Sequence, residues 1–330
     1  MSLLFADSFD GVITGPAKWS TWHSNTVINE AYGRHGKGIL CDGGTGTDTM
    51  AARTLDPATN RVTVGLWLYG HNSSYNSDDA PLRLTSSAGS QISVCFDASL
   101  ARFEVYGTGV TRQVIGPAGI GQRHTWIFVE LMWEPGVAYE VRANTLTIAS
   151  GTPGGSGTPN AFLIVHGGGL IAGGAVVRID DIYIVDSAAP GPNGFLGPIK
   201  IANLKPDGAG DRTELTATPA GNNWERVSDG SDATYVEGDP GDGDLYTFDN
   251  LPSSDDVLGV VQYFRAFDSE GGAITARAIS RVDGTEYDGD DVVLPGSVAT
   301  HVQPWDVNPD TGQPWTPAEV NGAEFGVEFA

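Results

Sequence analysis

Apolar and polar residues alternate with period two through segment after segment of this chain, and almost no window sustains a helical spacing. RVTVGLWLYG (61–70), QISVCFD (91–97), ARFEVYG (101–107), TWIFVELMW (125–133), AYEVRANTLTI (138–148) and AVVRIDDIYIVD (175–186) are the clearest cases. A strand of this kind buries one face and wets the other, so it needs a second layer to cover its apolar side. Polar, turn-forming segments separate the strands, among them HNSSYNSDD (71–79) and SGTPGGSGTPN (150–160). With 45 glycines and 19 prolines, the chain has many places to turn and few to run a long helix. The expectation is an all-β protein built on an antiparallel sandwich.

At 330 residues the chain is long enough for two hydrophobic cores. AAPGPNG (188–194), with two prolines, two glycines and no apolar pattern, reads as a linker. It divides a first domain, 1–187, from a second, 195–330. Strands of the second domain are expected around FLGPIKIANL, TYVEG, DLYTF, VLGVVQYFRAFD, AITARAISRV and AEFGVEF. VLGVVQYFRAF (257–267) is the most apolar of these and reads as the central strand. Thr316-Pro317-Ala318-Glu319 places an N-cap, a proline and a glutamate in capping-box order, which predicts one short helix before the last strand.

The net charge of −23 is unevenly spread. Residues 191–330 carry seven Lys/Arg against 25 Asp/Glu, a net of −18, which leaves −5 for residues 1–190. A field of this sign repels phosphate backbones and anionic lipid, so neither nucleic acid nor membrane is an expected partner. The two cysteines, Cys41 and Cys95, lie in strand-like contexts without neighbouring histidines and are expected as buried free thiols. The N-terminus lacks the basic and long apolar regions of a signal peptide, and no apolar run approaches a membrane span. A protein made and kept soluble in a reducing cytosol is expected.

The chain offers no arrangement of groups that reads as an active site. A retaining glycosidase needs two carboxylates roughly 5–5.5 Å apart across a sugar cleft. The nearest approach is Glu130 with Glu134, which strand periodicity puts on one face with Met132. The six histidines are scattered, and no serine sits in a nucleophile elbow. Sugar binding without hydrolysis asks only for exposed rings with polar neighbours. Trp19, Trp22, Tyr69 and Tyr75 are the candidates carried forward, whereas Trp67, Trp126 and Trp133 on alternating strands read as core. Asp306, Asn308 and Asp310 superficially follow a calcium loop, but glycine falls at the seventh position and proline at the twelfth. No cofactor is expected, and Ca²⁺ is the one ion held open.

Two resemblances add to this reading. FADSFDG at the start, Lys18-Trp19-Ser20-Thr21-Trp22 after it and Arg178-Ile179-Asp180-Asp181-Ile182-Tyr183-Ile184 at the end resemble jelly-roll domains of the concanavalin/laminin-G type. That type has glycine in the turn after Asn144, where this chain has Thr145. The ordered motifs FLG, TYV, DLYTF, GTEYDG, PxTGxPWT and EFGVE between Phe195 and Glu328 resemble the C-terminal module of tailed-bacteriophage virion structural proteins of the minor-tail and tail-fibre kind. The resemblances imply a concanavalin-like jelly-roll sandwich followed by a smaller β-rich domain with one short helix. They also imply a non-enzymatic virion component, made in the bacterial host cytoplasm, with other virion proteins, copies of itself and host-surface glycans as partners. A tail-tip or tail-fibre position, contributing to assembly and host-surface contact, is the expectation; a capsid-decoration role is the alternative, and a free carbohydrate-binding or glycan-active protein the second.

Overall fold

The computed structural model describes residues 3–11, 13, 15–24, 26–42, 48–69, 80–97, 102–115, 124–166, 176–188, 194–252 and 256–330. The chain forms two compact units, one of residues 1–10 and 18–201 and the other of residues 11–17 and 202–330.

The first unit is a jelly-roll-like sandwich of two antiparallel sheets. One sheet runs in the order Leu146–Gly151, Ala138–Ala143, Trp126–Glu134, Val62–Tyr69, Val176–Asp186, Gly38–Asp42, Thr26–Asn29, with Leu3–Asp7 also paired to Val176–Asp186. The other runs Val110–Ile115, Arg102–Gly107, Gln91–Asp97, Ala80–Ser86, Pro159–His166, Asp48–Thr54, Thr21–Trp22. The period-two pattern fixes which side faces inward. Val64, Leu66 and Leu68 pair with Leu131, Val129 and Ile127. Leu82, Leu84, Ile92, Val94, Phe103, Val105, Phe162 and Ile164 are equally buried in the facing sheet. Each such side chain contributes roughly 1.5–3 kcal/mol by leaving water.

A polar knot closes the entrance to this core. Lys18 Nζ and the Trp19 indole N–H donate to the two oxygens of Asp7 at 3.0 and 3.1 Å, and the Phe9 amide adds a third bond at 3.0 Å. Lys18 and Asp7 are both almost fully buried, so their pairing offsets the cost of taking each charge out of water. The turn that links Ala138–Ala143 to Leu146–Gly151 has Asn144 at φ +46° and Thr145 at φ +75°. A β-branched residue therefore occupies a left-handed position that favours glycine.

The linker expected at 188–194 lies mostly outside the described residues, since 189–193 are not among them. FLGPIKIANL, expected as the first strand of a second domain, forms no strand. Phe195–Ile201 belongs instead to the first unit. Pro198 has no amide to offer a ladder, and Gly197 at φ +75° turns the chain away from extended geometry.

The second unit has a six-stranded antiparallel sheet in the order Pro206–Thr213, Gly243–Phe248, Glu324–Phe329, Thr275–Val282, Thr285–Asp288, with Val292–Val293 also paired to Thr275–Val282. Two two-stranded ribbons accompany it. The apolar run expected at its centre, observed as Val260–Ala266, pairs among the described residues with Ala299–Trp305 in a two-stranded ribbon. Val260 and Phe264 pack on a core of Ala278, Val282, Trp305, Trp315, Val320, Ala323 and Phe325, so apolarity here reflects one covered face rather than two flanking strands. The helix Pro317–Gly322 forms with its capping box complete, Thr316 and Glu319 each bonding the other's backbone amide. A second helix, Asn223–Ser228, corrects the expectation of one.

Candidate functional site

The sandwich has two outer faces, and their side chains differ in kind. On the seven-stranded sheet, Arg83, Ser93 and Tyr106 share a face through the pairings Arg83↔Ser93 and Ser93↔Tyr106. Arg83 Nε donates to Ser93 Oγ at 2.9 Å, and the Tyr106 hydroxyl lies 3.4 Å from Cys95 Sγ. Arg102 pairs with Glu104 at 3.1 Å. Ser93, Cys95 and Glu104 are buried, and burial pushes the Tyr106 hydroxyl well above its ordinary range. On this face Arg83 and Tyr106 are partly open to solvent, and they are engaged by their neighbours.

The eight-stranded sheet carries three successive rows across its central strands. Register places Tyr183–Gly65–Glu130 in the first, Asp180–Trp67–Phe128 in the second and Arg178–Tyr69–Trp126 in the third. Phe195–Ile201 lies across the first two as a strap. Glu130 Oε1 accepts from the Tyr183 hydroxyl at 2.5 Å and from the Gly197 amide at 2.8 Å, while the Leu196 amide donates to the Tyr183 oxygen at 3.1 Å. The Trp67 indole donates to the Ile199 carbonyl at 2.9 Å, and the Ile201 amide to Asp181 Oδ1 at 2.9 Å. The Arg142 guanidinium sits 3.8 Å over the Phe195 ring.

The carboxylates under the strap are electrostatically costly. Burial raises Asp180 to about 6, against hydrogen bonds from the Arg34, His35 and Asp181 amides that favour its charged form. Burial, then the neighbouring Asp180, raises Asp181 to about 7. The Tyr183 hydroxyl is raised by burial and by Glu130, so it stays protonated and donates.

The third row is left half-buried and forms the site. Tyr69 and Trp126 meet edge to face at 5.4 Å, and His124 approaches Tyr69 at 6.2 Å. The Arg178 guanidinium lies 5.0 Å from the Tyr69 ring and 5.3 Å from Tyr32. In the adjoining row Arg34 stacks 3.7 Å over Trp67. Tyr32, Arg34, Tyr69, Trp126 and Arg178 are all partly open to solvent. Rings with flanking guanidinium groups can stack a flat apolar surface and hydrogen-bond its polar rim.

The residues singled out from sequence fare unevenly. Tyr69 is in this platform. Trp19 is not a surface ring: it is 5% exposed and packs against Phe5, Phe9, Trp22 and Phe162. Trp22 is tied down by its indole bond to the Thr26 carbonyl at 3.2 Å. Tyr75 lies outside the described residues. Trp133 is core as expected, but Trp67 and Trp126 face the opposite way. The parity of 126 and 133 on one strand already puts them on opposite faces, a signal the sequence reading passed over.

The Asp306–Asp310 loop is closed by its own bonds. Asn308 is buried, its carbonyl accepts from the Gly312 amide at 2.8 Å, and its Oδ1 accepts from the Asp310 amide at 2.9 Å. Asp310 Oδ1 accepts from the Tyr287 hydroxyl at 2.6 Å. The side chains of Asn308 and Asp310 thus serve the turn and its neighbour. Among the described residues no group of three or more His, Cys, Asp or Glu has the arrangement of a metal site.

No protein-family model matches the chain, and no curated protein does. Several solved structures are similar to part of this chain. The cellulose-induced protein Cip1 is similar at 13% identity over 55% of this chain and 96% of its own, with a TM-score of 0.42. Domain 4 of the extracellular arabinanase AbnA from Geobacillus stearothermophilus, in complex with arabinotriose, is similar at 14% identity over 56% and 92%, with a TM-score of 0.36. The galectin LEC-6 of Caenorhabditis elegans is similar at 10% identity over 50% and 99%, with a TM-score of 0.30.

Proposed function

We propose that this chain is a non-enzymatic contact protein of a tailed-phage virion, placed at the tail tip or fibre, whose sandwich touches host-surface glycans through the Tyr32/Tyr69/Trp126/Arg178 platform. The observation that carries the contact role is that platform: partly exposed rings on a sheet, beside two rows that the strap covers. The virion assignment is supported by the ordered motifs between Phe195 and Glu328. The first of them, FLG, is the segment that Glu130 and Tyr183 hold. Its acidic second unit suits a component that stays soluble and apart from its copies before assembly.

Immunogold labelling of intact particles with an antibody against the purified chain tests the placement. Gold at the tail end is the expected result. Gold over the head would move the protein to a decoration role, and unlabelled particles with accessible antigen would remove the virion assignment. A glycan array on the full chain and on Tyr69→Ala tests the contact role, with loss of all signals in the variant expected. Signals that survive unchanged would place any glycan contact elsewhere.

A further inference from the structure

Among the described residues most arginine side chains have a polar partner. Arg53, Arg83 and Arg226 hydrogen-bond to oxygens of neighbouring residues. Arg61, Arg102, Arg142, Arg212, Arg265, Arg277 and Arg281 each form an ion pair with a carboxylate. That is the ordinary outcome where 41 acidic residues face 18 basic ones. Arg178 is different. Among the described residues its side chain makes no ion pair and no hydrogen bond, and its Nε is buried without a partner. Its guanidinium is held between two tyrosine rings at 5.0 and 5.3 Å. Arg34, in the adjoining row, likewise forms no ion pair with a carboxylate and lies over Trp67.

Both cations are positioned by the fold. Arg178 is fixed by register opposite Tyr69 on one side and Leu40 on the other. The backbone at Arg34 and His35 is pinned by Asp180 at 2.6 and 3.1 Å. Three described acids are already engaged by backbone amides: Asp180 with those of Arg34 and His35, Asp181 with that of Ile201, and Asp10 with that of Lys37 at 2.6 Å. A planar guanidinium matches a carboxylate by two parallel N–H···O bonds, a geometry an ammonium lacks. Removing a partly desolvated cation from its anion is worth more than a surface pair, because neighbouring rings exclude water. The overall negative charge does not override this, since free charges beyond about 8 Å are screened at physiological salt.

We propose that the platform selects saccharides bearing a carboxylate, the sugar ring stacking on Tyr69 and Trp126 while the carboxylate pairs with Arg178. The inference rests on the glycan-contact reading above and adds the ligand's chemical class. The test is calorimetric titration of the full chain with a galacturonic acid trisaccharide and with the matching neutral galactose trisaccharide. The acidic probe is expected to bind at least tenfold more tightly. In Arg178→Gln the two probes are expected to bind alike, and in Tyr69→Ala neither is expected to bind, with the unfolding midpoints of both variants unchanged. Arg178→Lys, which keeps the charge and loses the fork, is expected to recover only part of the preference. Equal binding of both probes to the unaltered chain, abolished by Tyr69→Ala, would overturn the acidic preference and leave glycan contact standing. An acidic preference that persists in Arg178→Gln would overturn the assignment to this residue. Binding of neither probe would overturn the glycan reading as well.

Discussion

The Tyr183 hydroxyl reaches Glu130 Oε1 at 2.5 Å by passing over Gly65, the residue that pairs with both of them. A Cβ at position 65 would stand 2.1 Å from Tyr183 Cε1, so the tyrosine crosses the central strand only because that strand has no side chain there. The pair then presents one carboxylate oxygen and one phenolic oxygen to the Gly197 and Leu196 amides. Glycine, tyrosine and glutamate on three strands are thus one device for holding the strap.

Gly65→Ala is expected to displace the Tyr183 ring and release the strap, with a loss of about 1–3 kcal/mol as for other overpacked sites. Tyr183→Phe keeps the ring and removes one donor to a buried carboxylate, at a cost of about 1.5–3 kcal/mol. Urea unfolding checks both. Hydrogen exchange at the Leu196 and Gly197 amides should accelerate in each variant, and unchanged protection there would show that the strap is held by other contacts.

Asp7→Ala removes the anion that Lys18 and the Trp19 indole share. A buried ammonium left without its partner costs about 3–5 kcal/mol. The Lys18→Met/Asp7→Leu double variant, which discards both charges, is expected to recover most of that loss. Equal destabilisation of the single and double variants would assign the effect to packing around Trp19 rather than to charge.

Asp181 sets a pH dependence of definite sign. Its folded value, about 7, lies above the ordinary carboxylate value. An acid raised in the folded state contributes stability that is full below its unfolded value and is lost as pH climbs through the folded one. Relative to Asp181→Asn, the unaltered chain should therefore lose stability between about pH 4 and pH 8. The change is on the order of a few kcal/mol, at about 1.4 kcal/mol per pKa unit. Thermal unfolding of the two proteins across that range checks it, and parallel curves would count against the assignment.

Thr145 occupies φ +75° in an exposed turn. Thr145→Gly relieves that backbone without removing a buried contact, and is expected to stabilise the protein by about 1 kcal/mol. A calorimetric melting temperature that rises by a few degrees supports this reading, and one that falls would mean the threonine rigidifies the unfolded chain more than it strains the turn.

Alternation in segments such as VTVGLWLY and WIFVELMW determined that the first unit would be a sandwich of strands with two distinct faces. Thr316-Pro317-Ala318-Glu319 likewise determined a capped helix, because every contact in a capping box is local. Period two gives faces but not neighbours. It could not say that Gly65 would lie between Tyr183 and Glu130, residues 53 positions apart. Parity separates Trp126 from Trp133, but it does not say which of the two faces turns inward. Trp19 looked like a platform and Trp126 looked like core, and packing reversed both. FLGPIKI has the apolar content of a strand, yet its role as a strap depends on oxygens and an indole supplied by distant strands. Local pattern is written in the chain itself. That Arg178 makes no ion pair among the described residues is a property of register and packing, which only the assembled sheet decides.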